Sequence, residues 1–159
     1  MATFTVMALD ADLTAQVRRE RRDRFDNNVV ASVAGEQGYG PCRACLRQFR
    51  PGERRLLLAH APLAVPGPYR EVGPIYMHEA DCGRYTDLGF PSEVKAGRLP
   101  IPLALRAYDE TGKLSEAVLV PDNATVEAQI ERLLADPTIT EVHVRNAQFG
   151  CYITKAIRA

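Results

Sequence analysis

Four side chains that commonly bind metal ions stand in two pairs in the first half of the sequence. Cys42 and Cys45 are separated by two residues, and His78 and Cys82 are separated by three. Thiolate sulfur and imidazole nitrogen are ligands that zinc prefers, and spacers of this length let each pair turn back onto one ion. The pattern predicts a zinc site made of Cys42, Cys45, His78 and Cys82.

The distance between the two pairs leaves alternatives open. Paired zinc ligands usually lie about 12–20 residues apart, whereas residues 46–77 separate these two pairs. Cysteine is also often buried for packing alone, so the cysteines could belong to the core and the histidine to a strand end. If only three residues bound the ion, water could take the fourth position, with Glu79 or Asp81 as the nearest base. A closed, structural site is our preferred interpretation.

A thiol redox switch is a third hypothesis for the same cysteines. Arg43 lies between Cys42 and Cys45, where its positive charge would favour a thiolate. A thioredoxin-like pair, however, belongs to a βαβ pattern. Here glycines precede the pair and Pro51-Gly52 follows it. We therefore rank redox chemistry below zinc binding.

A second candidate site comes from two segments nearer the C-terminus, in which polar and apolar residues alternate. If these segments were neighbouring strands, five polar side chains would line one patch: Arg106, Tyr108, His143, Arg145 and Asn146. Guanidinium, imidazole and phenol groups suit a carboxylate or phosphate ligand. The simpler interpretation is the solvated face of an antiparallel sheet. The patch supports an alternative function, a small enzyme or binding protein for an anionic small molecule.

The elements that must position these residues are mostly strands. Apolar patterns between turn signals predict strands over residues 4–9, 28–33, 54–61, 75–78, 103–108, 114–120, 139–145 and 149–157. Asp10 or Asp12 is expected to cap a short first helix. Asp122 or Asn123 caps a later one with an apolar stripe made of Val126, Ile130, Leu133 and Leu134. The prediction is an α+β fold, mainly antiparallel sheet with one or two helices.

Other expectations concern packing and domain organisation. Leu56, Leu57 and Leu58 form an apolar run that predicts burial on both strand faces, and the pattern around Cys151 predicts a buried, inert thiol. Residues 83–102 are expected to form a surface loop. Residues 1–38 are predicted to form a strand and helix region packed on a main α+β domain of residues 39–159, giving one structural domain overall.

Composition narrows the classes of function. The chain has 159 residues, of which 46% are hydrophobic and 25% charged, the composition of an ordinary globular domain. Its 20 basic and 20 acidic residues give a formal net charge of zero, which argues against nucleic-acid or membrane-surface binding through bulk charge. The arginine cluster in residues 18–24 is interpreted as a solvated helix face with local ion pairs.

Targeting and assembly are expected to be simple. The N-terminus lacks a basic region and its apolar run stops at Asp10, unlike a signal peptide. No stretch approaches the roughly 18 apolar residues that a membrane span needs. We therefore expect a cytoplasmic protein with reduced cysteines. An exposed sheet edge would be compatible with a homodimer, and no residue pattern identifies a particular partner.

Several motifs occur in an order that resembles one protein family. They are Pro41-Cys42-Arg43 with Cys45-Leu46, Pro51-Gly52-Glu53 with Leu56-Leu57-Leu58, Gly73-Pro74-Ile75-Tyr76 with His78 and Cys82, and Val142-His143-Val144-Arg145-Asn146-Ala147 with Gly150-Cys151. Together they resemble the small bacterial proteins of domain of unknown function family 1203, from Tyr39 onward. The resemblance implies one compact domain of bacterial origin and supplies no catalytic residue. We therefore expect a small bacterial cytosolic protein of unassigned biochemical function. The predicted ligand set adds the hypothesis that it is a zinc-binding structural or interaction domain.

Overall fold

Two antiparallel sheets form the framework of the protein. The computed structural model describes residues 3–159. The larger sheet contains, in spatial order, β1 (Phe4–Met7), β8 (Tyr152–Arg158), β7 (Ile139–Asn146), β5 (Leu103–Asp109) and β6 (Leu114–Leu119). The smaller sheet contains β2 (Val30–Val33), β3 (Arg54–His60) and β4 (Gly73–His78). The α+β class with mainly antiparallel sheet is confirmed.

Three α-helices pack around these sheets: α1 (Ala11–Glu20), α2 (Ser92–Ala96) and α3 (Val126–Leu134). The carboxylate of Asp10 caps α1 by accepting from the amide of Asp12 at 2.7 Å. Asp122 caps a 3₁₀ turn at Asn123–Thr125 that leads into α3. None of the helices within residues 3–159 has the length and apolar composition needed to cross a membrane.

The hydrophobic core has two parts. One part lies where α3 packs on the five-stranded sheet, and the predicted apolar stripe of α3 is buried there. The other part lies among α1, β3, β4 and the cysteine pair, and includes Phe49, Leu56 and Met77, each 0% exposed. Tyr152 of β8 belongs to this second part. The second core therefore joins the smaller sheet to the larger one.

The register of the smaller sheet determines where the metal-binding residues meet. β4 lies antiparallel to β3, with Met77 opposite Leu56 and His78 opposite Arg55. Residues 75–78 therefore lie directly beside residues 55–58 of β3. Residues 61–72, hereafter the connection 61–72, link the two strands. The end of β4 is thereby placed next to the segment that precedes β3.

Three local predictions are wrong. The segment 83–102 contains α2, whose Val94 is 1% exposed, because a helix of five residues is too short to show an apolar period. Leu57 is only partly buried, unlike Leu56 and Leu58, so β3 alternates as one-sided strands do. Cys151 is partly exposed, because it lies in the β7–β8 turn rather than on the last strand.

Candidate metal centre

The cysteine pair lies in a tight turn, residues 42–47, which we call the cysteine turn. The amide of Cys42 donates to the carbonyl of Arg47 at 2.9 Å, and the amide of Leu46 donates to the carbonyl of Cys42 at 2.8 Å. Leu46 has a φ of 59°, a left-handed conformation that is unfavourable for a residue with a branched side chain. The chain thus reverses directly after Cys45, and the cysteine pair does not begin an α-helix.

The second ligand pair, His78 and Cys82, is contacted by Arg18 of α1. His78 ends β4, and Cys82 lies four residues further on. Arg18 of α1 donates from Nε and Nη2 to the carbonyl of His78, at 3.3 and 3.2 Å. Nη2 of the same guanidinium lies 3.6 Å from Sγ of Cys82. The guanidinium of Arg18 thus places a positive charge beside the sulfur of Cys82.

The four predicted ligands come together in one cluster. Their ligand atoms all lie within 4.8 Å of one another. Sγ of Cys42 is 3.8 Å from Sγ of Cys82, and Sγ of Cys45 is 3.5 Å from Nδ1 of His78. Zinc bonds of about 2.3 Å to sulfur and about 2.0 Å to nitrogen, arranged tetrahedrally, give separations of about 3.8 and 3.5 Å. The donor set therefore fits a zinc ion.

Glu53 completes the surroundings of the histidine. Nε2 of His78 lies 2.8 Å from Oε2 of Glu53, while Nδ1 faces Cys45. A metal-bound histidine usually donates its other ring N–H to a carboxylate or carbonyl oxygen, which fixes the tautomer and the ring orientation. The backbone amide of His78 also donates to Sγ of Cys42 at 3.2 Å. Both contacts are of the kind that support a metal centre.

The pKa shifts of the cysteine thiols indicate that the cluster stabilises positive charge. Hydrogen bonds from Cys42 and Cys82 lower the pKa of the Cys45 thiol. Hydrogen bonds with Cys42 and Cys45, together with burial, raise the pKa of the Cys82 thiol. One thiolate is thus favoured and the next is opposed by its negative charge. A divalent cation would remove this repulsion and allow all three thiols to ionise.

The pKa of His78 is also shifted by its neighbours in the cluster. Burial alone lowers the pKa of His78, but hydrogen bonds with Cys42, Cys45 and Glu53 outweigh it and raise the pKa to about 10. A group of thiols and a carboxylate that retains a proton this strongly is a site where positive charge is stabilised.

Most of the cluster is shielded from solvent. Cys42, Cys45 and His78 are 0%, 7% and 7% exposed, and Cys82 is partly exposed. A cavity of about 320 Å³ borders the cluster on the side of Cys45 and Cys82. An ion could therefore enter from this side without passing through the core.

The two acidic residues next to the ligands are engaged elsewhere. The Glu79 carboxylate contacts Arg54 and lies 2.8 Å from Nη1 of Arg21. The side chain of Asp81 is 88% exposed and lies 3.9 Å from Arg18. This placement favours a site with four protein ligands over one with three ligands and an activated water.

The second predicted patch is divided by the structure. Arg106 and Arg145 share Glu71 as an ion-pair partner, at 3.3 and 2.9 Å. Tyr108 and His143 are 2% and 0% exposed, with their rings 4.6 Å apart. The face that carries them is therefore not solvated.

Asn146 points away from this pair of arginines. Its Nδ2 donates to the Tyr39 hydroxyl at 3.1 Å, and its Oδ1 accepts from the amides of Gln148 and Phe149. Asn146 thus stabilises the β7–β8 turn. No sequence pattern pointed to Glu53, Arg18 or Glu71, because each of their contacts joins residues distant in the chain and depends on strand register or on the path of a loop.

Replacing Glu53 with alanine is expected to weaken metal binding by about 10–100-fold, because the change removes the carboxylate that orients His78. Competition with a chromogenic chelator measures the affinity. Glu79→Ala is the matched control, since this carboxylate neighbours His78 in sequence but contacts Arg21 and Arg54. Equal affinities of the two variants would show that the contact with Glu53 does not support the metal.

Comparison with known proteins identifies the family but no characterised relative. The chain matches none of the curated proteins and none of the solved structures compared with it. A family model described as "Protein of unknown function (DUF1203)" matches residues 39–158, which include all four candidate ligands and both candidate arginines. The family that the sequence motifs resemble is the family whose model matches the chain. The chain belongs to this family.

Proposed function

We propose that this protein is a zinc-binding structural and interaction domain, in which Cys42, Cys45, His78 and Cys82 hold one zinc ion. The observation that carries the proposal is the pair of separations, 3.8 Å between the sulfurs of Cys42 and Cys82 and 3.5 Å between Sγ of Cys45 and Nδ1 of His78. These two separations match a sulfur–sulfur edge and a sulfur–nitrogen edge of a tetrahedron around zinc.

The ligand types favour zinc among the common metals. Three thiolates and one imidazole form a soft donor set, which calcium, magnesium and manganese avoid in favour of oxygen. A tetrahedral set of sulfur and nitrogen donors is typical of structural zinc. Four protein ligands leave no open position for a substrate, so a structural role follows from the coordination number.

The position of the ligands explains what the ion would stabilise. The cysteine turn precedes β3, His78 ends β4, and Cys82 follows β4. The ion would tie these segments together beside α1, which contacts the second pair through Arg18. Because the ligands meet only in the folded chain, metal binding contributes to the free energy of unfolding.

Cobalt substitution tests the donor set directly. Titration of metal-free full-length protein with Co²⁺ is expected to produce the intense visible bands of tetrahedral, thiolate-bound cobalt, and one equivalent of Zn²⁺ should abolish them. The control variant Cys151→Ser should give the same spectrum, because Cys151 lies outside the cluster. Weak bands of octahedral cobalt would contradict the proposed ligands.

The redox alternative makes a different prediction. A thiol switch would form a reversible disulfide between Cys42 and Cys45 under cytosol-like potentials. If the cysteines hold zinc, oxidant should act on them only after a chelator has removed the ion. Rapid, reversible disulfide formation in the zinc-loaded protein would favour the switch over the structural site.

A further inference from the structure

A second cavity lies between β4, the connection 61–72 and the β7–β8 turn. None of the four candidate metal ligands lines it. Its volume is about 320 Å³. Apolar and polar side chains share its lining, among them Ile75, Phe149, His60, Glu71, Arg145 and Cys151. A cavity of this size accommodates a small organic molecule, and its mixed lining suits a ligand with one charged end.

The charged end of this cavity already holds a carboxylate of the protein itself. Oε2 of Glu71 lies 2.9 Å from Nη2 of Arg145, and both Glu71 oxygens lie 3.3 Å from Nη1 of Arg106. The Arg145 side chain is 9% exposed, whereas that of Glu71 is 53% exposed. Glu71 thus reaches from a solvent-facing loop onto a buried guanidinium, and it can leave without unfolding a strand.

The arginines retain hydrogen-bonding capacity beyond Glu71. Nη1 of Arg145 donates to the carbonyl of Gly150 at 3.0 Å. Among the residues that the structure describes, Nε of Arg145 is buried without a hydrogen-bond partner. A buried donor of this kind is costly to leave unpaired. Arg145 therefore has one guanidinium donor that neither Glu71 nor Gly150 satisfies.

A neutral histidine forms part of the cavity wall. Burial lowers the pKa of His60 to about 4, and the charges of Lys155, Arg24 and Arg43 lower it in the same direction. His60 lines the cavity, so its imidazole offers a bound acid a neutral hydrogen-bonding group.

We propose that this cavity binds the carboxylate of a small organic acid, which takes the place of Glu71 on Arg145 and Arg106. The planar, two-oxygen group is the one that these guanidiniums already hold, and guanidinium geometry matches it. The apolar part of the acid lies against Ile75 and Phe149. This site is independent of the cysteine cluster and of whether that cluster binds zinc.

Benzoate is a suitable probe, because it combines a carboxylate with a compact apolar ring. Benzoate is expected to shift the amide NMR signals of residues 71–75 and 149–152 saturably. It should also slow the alkylation of Cys151, which lines the same cavity, as followed by peptide mass spectrometry. Benzamide, which has the same shape without the charge, should do neither.

Two variants test the role of the charged groups. Glu71→Gln removes the internal carboxylate and is expected to strengthen benzoate binding by about threefold, the gain from losing one partly exposed competing ion pair. Glu116→Gln is the matched control, since Glu116 is a similarly exposed partner of Arg132 on the surface. Arg145→Lys should weaken binding by about tenfold, because a single ammonium replaces the fixed planar set of guanidinium donors.

The outcomes decide the proposal without relying on the buried arginine alone. Should Arg145→Lys fail to fold, the exposed Glu71→Gln variant and the benzamide comparison still give an answer. Absence of saturable shifts with benzoate in both the natural protein and Glu71→Gln would overturn the proposal. Binding of inorganic phosphate without binding of benzoate would overturn the assignment to organic acids.

Discussion

Replacing Cys45 with serine is expected to abolish stoichiometric metal binding and to lower the free energy of unfolding by about 4 kcal/mol or more. Cys45 is 7% exposed, and its sulfur lies 3.5 Å from Nδ1 of His78. Serine would place a weaker ligand in a buried cluster and leave two thiols and a histidine to face one another without a cation.

Thermal unfolding followed by circular dichroism measures this effect. A loss of about 4 kcal/mol corresponds to a Tm lower by roughly 8–16 °C for a domain of this size. Cys151→Ser is the control, because Cys151 lies in the β7–β8 turn and is partly exposed. Equal melting temperatures of the two variants would show that the cysteine turn is held by packing alone.

The second large effect is expected at Asp23, in the segment between α1 and β2. Its carboxylate accepts from the amide of Ala59 at 2.9 Å and from the amides of Phe25 and Asn27 at 2.8 and 3.0 Å. The pairing of β2 with β3 reaches only to Leu57, so Asp23 serves the amide of Ala59 just beyond the end of β2. The Asp23 carboxylate thus accepts the hydrogen bond from Ala59 that a longer β2 would accept through its backbone.

Asp23→Asn is expected to lower the free energy of unfolding by about 2 kcal/mol, because hydrogen bonds to a charged acceptor contribute about 1.5–3 kcal/mol. The new amide group would face the donor of either Ala59 or Asn27. Asp26→Asn is the matched control in the same segment, since the Asp26 carboxylate is 96% exposed. Similar denaturation midpoints for both variants would contradict the role of Asp23.

The same residue links stability to pH. Burial alone raises the pKa of Asp23, but hydrogen bonds from Ala59, Asn27 and Phe25 outweigh it and hold the pKa below its ordinary value. The stabilisation is therefore complete above the unfolded pKa of about 4 and is lost as the pH falls through the folded pKa. Between about pH 5 and pH 2, unfolding of Asp23→Asn should depend less on pH than unfolding of the natural protein. Parallel curves would rule out this linkage.

The sequence predicted the features that depend on residues close together in the chain. The pairs Cys42 with Cys45 and His78 with Cys82 were found because ligands of one ion repeat at short intervals, and the stripe of α3 because an amphipathic helix has a regular period. Glu53 escaped notice because its contact with His78 depends on the pairing of β3 with β4. A register of this kind is decided by packing over the whole sheet.

The sequence showed which residues share a strand face, but not whether that face is buried. The strand pattern placed His143 and Arg145 on the same face of β7, but favoured solvent on that face. The structure instead leaves them 0% and 8% exposed. Nothing in the alternation of β7 reveals which distant segment lies over it. Cys151 was misplaced for a related reason, since the register of β7 and β8 shifts at Val144 and Arg145 and the turn extends past the expected strand start.

Elemental analysis of the full-length protein, purified without a metal-chelating tag and paired with a count of reactive thiols, is the most direct test of the proposed zinc site. The proposal predicts one zinc per chain, with Cys42, Cys45 and Cys82 protected from alkylation until a chelator is added and Cys151 reactive throughout. Protein that contains no zinc, takes up none when it is supplied, and shows the same thiol reactivity with and without chelator would contradict it.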